Sequence, residues 1–465
     1  MTDTAINLLR RTLGTRVTTP ADAGYDAERA TFNATVQRRP AVIVRAHSND
    51  DVRATILAAN DLGLPIAVRG GGHNVAGHAV ADGAVVVDLR DLRTVSVDPA
   101  RRTARVAGGA QWDDVDAAAW AYGLTVVGGT FGDTGVAGLT LGGGIGWLMG
   151  SQGLTCDNLV RAELMTAGGE LVVAGPDGDP ELLWALRGGG GNFGVVTAFE
   201  FRLADPGPII GGYLRYPIRS AEQVLRRIAS VAETAPDALS VMAMVSIHDE
   251  SRAETPSEVR VGIGWTGDAD EADRAILPLR MDLPLVSDGV APMTYLELQA
   301  MSGRLPFGLR HYWKGYFLRA FDNDAVSGVV DSLAAPKGAL GGILLEAIRG
   351  AARREPEGGA AFGQRRAAWN ATGLAIWQDE ADDAAEIAWA RAVADRLAAG
   401  SLAGAGYANY APVDETADRV RLAFGPERFE RLAAVKRRYD PENRFRFNLN
   451  IPPGPIIPPA PVDVG

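Results

Sequence analysis

The placement of glycine constrains this chain more than any other feature. Three runs, RGGGHNVAG at 69–77, GGTFGDTGVAGLTLGGGIG at 128–146 and RGGGGNFG at 187–194, all fall within the first 200 residues. Glycine makes up 56 of 465 residues, about 12% against an ordinary ~7%. Without a Cβ, consecutive glycines let several backbone N–H groups turn toward one point and let the main chain approach a ligand closely. Loops of this kind need a scaffold of regular elements between them.

The intervening pattern supplies one. Residues 49–63 predict a helix with Asn49 or Asp50 as N-cap and Val52, Ile56, Ala59 and Leu62 on one face. PIAVRG (65–70), VVVDL (85–89), RTVSV (93–97) and TARVAGG (103–109) read as strands, the last two joined by a turn at Asp98-Pro99. A helix over 111–122 stops at Gly123, two strands flank Ala167-Gly168-Gly169, a short helix spans 179–187, and 195–203 alternates as a strand.

Pro206-Gly207-Pro208 breaks this texture. Beyond it, strands at 211–217, 239–247, 258–265, 313–319 and 369–377 are separated by amphipathic helices at 219–234, 270–279, 324–334 and 382–397. The fold class is therefore α+β, with a large antiparallel sheet covered by helices in the second half. A helix over 427–437 leads into YDPENRFRFNLNI (439–451), and six prolines in residues 452–465 predict an extended tail. The expected units are 1–205, 206–415, a returning segment 416–451, and the proline-rich tail.

Composition narrows the function classes. A net charge of -11 removes any chain-wide electrostatic case for nucleic acid. One cysteine, Cys156, excludes an internal disulfide and a cysteine-built zinc site, and five histidines leave little for a metal cluster. No run of eighteen apolar residues exists and the opening MTDTAINLLRRTLGTRV is not a signal peptide, so no membrane role and a cytoplasmic address are expected.

RGGGGNFG contains G-x-G-x-x-G at Gly189, Gly191 and Gly194, but a helix precedes it and the strand VVTAFEF follows. A dinucleotide fingerprint needs the reverse order, so a Rossmann site is rejected. Arg69-Gly70-Gly71-Gly72-His73-Asn74 follows a strand directly and reads as an anion nest with an imidazole at its end.

RGGGHN, TGVAGLTLGGGIGWL, GLTCDNL, LLWALRGGGGNFGVVTAFEF and YDPENRFRFNLNI, in this order, together resemble the berberine-bridge-enzyme-like flavoprotein oxidases of the vanillyl-alcohol-oxidase and p-cresol-methylhydroxylase superfamily. The resemblance covers residues 35–205 and the last 50 by motif, and the middle by layout. It implies an FAD domain of two α+β subdomains built from both chain ends, facing a substrate domain. It implies that Arg69, Gly70, Gly71, Gly72, His73 and Asn74 cradle the pyrophosphate, with His73 bonded covalently to the flavin. It places Gly135, Gly138, Gly142, Gly143, Gly146, Gly191, Asn192, Val195, Val196, Asn448 and Asn450 along the cofactor.

Many relatives hold the flavin a second time through a cysteine, three residues and a glycine that matches Gly135; here Phe131 stands at that place. FAD attached through His73 only is expected, with a lower flavin potential and a less open site than in doubly linked relatives. Cys156 reads as a small buried core residue, and His78 as structural. The family's Y-x-N-Y segment corresponds to Tyr407-Ala408-Asn409-Tyr410; Tyr407 is the expected base for the substrate proton, the alternative being a tyrosine that simply packs. Asn370 and Thr372 share one face of a strand and match polar active-site positions. His311, Tyr312 and Lys314 are further candidates, Lys314 as a cation near the flavin; Arg365 reads as structural.

The function implied is an FAD-dependent oxidase taking a hydride from an alcohol or amine carbon of a small organic substrate, such as a bacterial secondary metabolite. Molecular oxygen is the expected acceptor, and the expected assembly a monomer or homodimer. An oligosaccharide or sugar oxidase, and a flavin-binding protein without turnover, stand as alternatives.

Overall fold

Short runs of valine and isoleucine, apolar on both faces, build the first sheet. Val42–Arg45, Val85–Asp88 and Ile66–Arg69 pair in parallel in that order, and Val17–Thr18 adds an antiparallel edge. Burial on both faces is what a parallel strand requires, and these residues are almost wholly buried. The helix Asn49–Asp61 covers the sheet; its N-cap is Ser48, whose side chain accepts from Asp51 N, not Asn49 or Asp50. This computed structural model describes residues 2–247, 256–304, 307–333 and 341–454.

The second sheet is antiparallel, in the order Val95–Asp98, Thr103–Ala107, Val195–Arg202, Leu159–Met165, Leu171–Ala174. Against it pack the helices Pro180–Leu186 and Pro426–Tyr439, whose Leu182, Trp184, Phe429 and Leu432 share one core with Phe199 and Phe201. The helix Pro426–Tyr439 thus completes a core begun in the first half of the chain.

The third sheet has eight strands, all antiparallel. Its main path runs Ser287–Asp288, Ile209–Pro217, Glu258–Thr266, Leu239–Ile247, Gly341–Ala347, Trp369–Trp377, Arg310–Leu318, and Ala291–Met293 pairs with Ile209–Pro217. Gly341–Ala347 was not among the expected strands; it lies between two of them and closes the sheet. Ala221–Thr234, Ala269–Arg280, Asn323–Val330 and Asp383–Leu397 cover one face through a core including Val224, Ile276, Val329 and Val393. Residues 455–465 of the expected tail lie outside the described residues.

Candidate functional site

The register of the third sheet determines what its uncovered face presents. One row across it carries Tyr213, Gly262, Met242, Glu346 and Asn370; the next carries Arg260, Met244, Leu344 and Thr372. This face meets the three glycine runs and the returning C-terminal segment, and between them lies a cavity of about 370 Å³. Its lining includes Gly70–Asn74, Gly135, Gly138, Gly142, Gly188–Gly191, Val196 and Asn448 on one side. Trp313, Leu344, Glu346, Leu374, Tyr407 and Tyr410 are on the other.

The glycine positions have two distinct causes. A Cβ on Gly71 would sit 2.6 Å from Gly135 N, and one on Gly135 would sit 2.4 Å from Gly71 N, so these two permit the loops to touch. A Cβ on Gly138 or Gly191 would meet nothing within 4 Å, so these stand before open space. Gly143 and Gly146 do not line the cavity; the ring of Phe362 and the carbonyl of Gly128 occupy the space beside them.

Among the described residues, the backbone amides of Gly70, Gly71, Gly72 and His73 have no hydrogen-bond acceptor. Buried polar atoms without partners gather beside them: His73 Nε2, Asn74 Oδ1, His78 Nε2 and Asn448 Oδ1. Unpaired buried donors and acceptors are costly unless a ligand or water meets them. A large ligand bearing phosphates and a polar ring system, as FAD is, fits this set.

Other residues expected along the cofactor lie outside the cavity lining. Arg69 points away, donating to the carbonyls of Glu28 and Ala30 at 2.7 Å. Asn192 does not line the cavity; it donates to Gly189 O and Leu449 O and accepts from Ile451 N, pinning the C-terminal segment to the third glycine run. Val195 faces the core of the first sheet, because strand alternation sends only Val196 toward the cavity. Asn450 is half-buried outside the lining, its Oδ1 without a partner.

His73 is held by aromatic stacking. Phe32 lies 4.1 Å from its ring at 15°, and on its other face 4.3 Å from His311 at 27°. Asn33 ties the same segment down, donating to Val75 O and His311 O and accepting from His311 N. Burial lowers the His73 pKa against the opposing pull of Asp133, whose Oδ1 is 3.8 Å from Nε2. Burial and Arg38 lower His78 to about 4, and burial and His73 lower His311 to about 3, so all three imidazoles favour the neutral form.

Tyr407 is fully enclosed. Its oxygen accepts from Gly144 N, Ile145 N and Asn409 Nδ2 at 2.8–3.1 Å. Burial and the nearby Glu346 push the phenol above its ordinary value, against the pull of these donors. Glu346 was not singled out from the sequence. It is 1% exposed, and its carboxyl accepts from Asn370 Nδ2 at 2.7 Å and Tyr410 Oη at 3.1 Å. Burial raises it to about 7, against those two bonds. The available signal was one carboxylate within the apolar run GGILLEAI.

Thr372 is buried on the same face as Asn370 but does not line the cavity. Lys314 and Tyr312 alternate to the face opposite Trp313, where the Tyr312 hydroxyl meets Asp414 and Lys314 acts electrostatically on the same carboxylate. Lys314 is thus not placed as a cation at the cavity. Phe131 lines it, and Cys156 is buried, its thiol pushed up by burial. Arg365 is buried against Asp157. No group of residues suited to hold a metal, and no helix long and apolar enough to cross a membrane, occurs among the described residues.

Comparison with known proteins matches this geometry. The FAD binding domain family model matches residues 40–175, and the berberine and berberine-like model matches residues 406–452. The chain is 36% identical to (R)-6-hydroxynicotine oxidase of Paenarthrobacter nicotinovorans, over 93% of this chain and 96% of that protein. The crystal structure of 6-hydroxy-D-nicotine oxidase from Arthrobacter nicotinovorans superimposes with a TM-score of 0.86 at 33% identity, covering 95% of this chain and 98% of that one. The xylooligosaccharide oxidase of Myceliophthora thermophila C1 shares the fold, with a TM-score of 0.84 at 22% identity, covering 97% and 100%. The chain is an FAD-linked oxidoreductase and belongs to the berberine-bridge-enzyme-like oxidases of the vanillyl-alcohol-oxidase and p-cresol-methylhydroxylase flavoprotein superfamily.

Proposed function

We propose that this protein oxidises an alcohol or amine carbon of a small organic substrate, with FAD attached through His73 alone and Glu346 as the base. The observation that carries the reading is Glu346 itself: it is the one carboxylate among the described residues lining the cavity, and its pKa is raised to about 7. A general base works best when its pKa lies near the operating pH. FAD, when bound, would supply the two-electron acceptor for hydride that the oxidation needs.

The chain's own groups do the rest. Glu346 accepts the proton of the substrate O–H or N–H. Asn370 and Tyr410 hold the carboxylate in place and spread its charge. Tyr407, whose oxygen already receives three N–H groups, serves to fix the loop at Gly144 and Ile145; this shifts the role of base from Tyr407 to Glu346. Trp313, Leu344, Leu374, Met242 and Met244 give the pocket apolar walls that exclude water. Such walls favour a compact, largely apolar substrate over an oligosaccharide, and the similarity to a hydroxynicotine oxidase agrees with this. Molecular oxygen is the proposed acceptor for reoxidation.

Anaerobic bleaching of the bound yellow colour, screened over benzylic alcohols, cyclic secondary amines and oligosaccharides, tests the reading. One small apolar class should bleach it, and Glu346→Gln should slow bleaching about 10²–10⁴-fold, the usual contribution of general base catalysis. Unchanged bleaching in Glu346→Gln would remove the base, and bleaching by oligosaccharides alone would remove the substrate class.

A further inference from the structure

The cavity carries charge at a second place. The strand Glu258–Thr266 alternates strictly: Val259, Val261, Ile263 and Trp265 enter the core beneath the helices. The opposite face presents Gly264, Gly262 and then Arg260. The two glycines make way for Trp147, since a Cβ on Gly262 would lie 2.6 Å from its ring. After two positions with no side chain, Arg260 projects into the lining, its side chain 33% exposed.

Arg260 is held but not neutralised. Its guanidinium lies 5.5 Å from the centre of the Tyr213 ring, and its Nε is 3.5 Å from Glu258 Oε1. The same carboxylate meets Arg215 at 3.1 Å. Two guanidiniums thus share one carboxylate, leaving this trio net positive. The other cationic candidates in the lining, His73 and His78, are held toward neutrality by burial. Arg260 Nε is buried and makes no hydrogen bond.

We propose that Arg260 is a specificity-determining residue that binds an anionic group of the substrate, so that the preferred substrate is a small apolar molecule carrying a carboxylate. This deepens the reading of Glu346 as base and rests on it. Arg260 pairs across to Met244 and Met244 to Leu344, two residues from Glu346. Two strand spacings across and two residues along separate the α-carbons by roughly 12 Å. One ring and a short chain fill the space between the two side chains, which sets the reacting carbon and the anion at opposite ends of the molecule. A carboxylate at the Arg260 end gains a charge-assisted hydrogen bond, whereas a cation there meets like charge.

The test uses the holoenzyme and two probes of one skeleton, 3-phenylpropionate and its neutral amide. Their dissociation constants are read without turnover, from perturbation of the flavin absorption band and from tryptophan fluorescence. The acid should bind about tenfold more tightly than the amide, with the preference shrinking as salt rises. Arg260→Gln should abolish the preference, and Arg260→Lys should retain part of it; thermal melting verifies that both variants fold. Equal binding of acid and amide, failure of the acid to bind, or a preference that survives Arg260→Gln would each overturn the proposal. Because binding is measured without catalysis, these constants stand apart from the Glu346→Gln bleaching rate, and failure of one reading is distinguishable from failure of the other.

Discussion

Lys436 and Asp440, one helical turn apart, are both completely buried and meet at 2.6 Å. The ammonium also donates to Asn192 O and Phe445 O, and the carboxylate accepts from the amides of Arg444 and Phe445. A buried ion pair is tolerated only when its remaining hydrogen-bonding capacity is met, and here three acceptors surround the ammonium. The pair therefore clips the C-terminal segment to the third glycine run. Lys436→Met leaves Asp440 buried without its counter-ion and should cost about 3–5 kcal/mol in denaturant unfolding. Adding Asp440→Asn should restore part of that loss.

The proposed attachment through His73 alone has a simple chemical readout. Acid precipitation of the wild-type protein should carry the yellow colour into the pellet. His73→Ala should leave the colour in the supernatant, while Cys156→Ala should behave as wild type. The absorbance of the two fractions, with peptide mass analysis of the pellet, checks both.

Glu346 has a defined pH signature. Its pKa lies at about 7 rather than near the ordinary carboxylate value, so below that pH it is protonated and cannot accept a proton. The rate of anaerobic bleaching should rise with pH through about 7 and level off above it. The bonds from Asn370 and Tyr410 favour the ionised form. Asn370→Leu and Tyr410→Phe should each move the limb to higher pH by about one unit, whereas a purely structural loss would lower the plateau without moving the limb.

Asp116, outside the cavity lining, makes a stability prediction. It is fully buried, accepts from Gln299 at 2.9 Å, and burial raises it to about 8. A raised carboxyl contributes stability that is complete below its unfolded pKa, near 4, and is lost as pH climbs toward 8. Asp116→Asn should flatten that slope, so the variant should be more stable than wild type at pH 7 by an amount on the order of a few kcal/mol. The advantage should vanish at pH 4. Thermal melting across this range decides it.

How legible the molecule was depends on where the information lay. The strands 239–247 and 369–377 match their expected bounds, since each is an unbroken nine-residue run of strand-compatible residues. Gly341–Ala347 was not legible: it is buried at all but one position and begins with two glycines, which weakens any periodic reading. The glycine runs were visible in the sequence, but which glycines face a ligand and which face another loop depends on contacts such as Gly71 with Gly135. Lys314 was misplaced relative to the cavity by one step of alternation, since Trp313 takes the inward position. Glu346 and Arg260 carry no signal of their own because each lies in an otherwise ordinary strand, and only the register brings them to one face.

Phe32 offers one face to His73 and the other to His311, on the strand Arg310–Leu318 of the third sheet. A benzene ring between two neutral imidazoles behaves as a rivet: neither plate can slide without losing contact with it. The histidine proposed to carry the flavin is thereby referenced to the third sheet as well as to its own loop. A change at Phe32 would therefore be felt as misalignment between electron acceptor and substrate, from a residue that no catalytic motif contains.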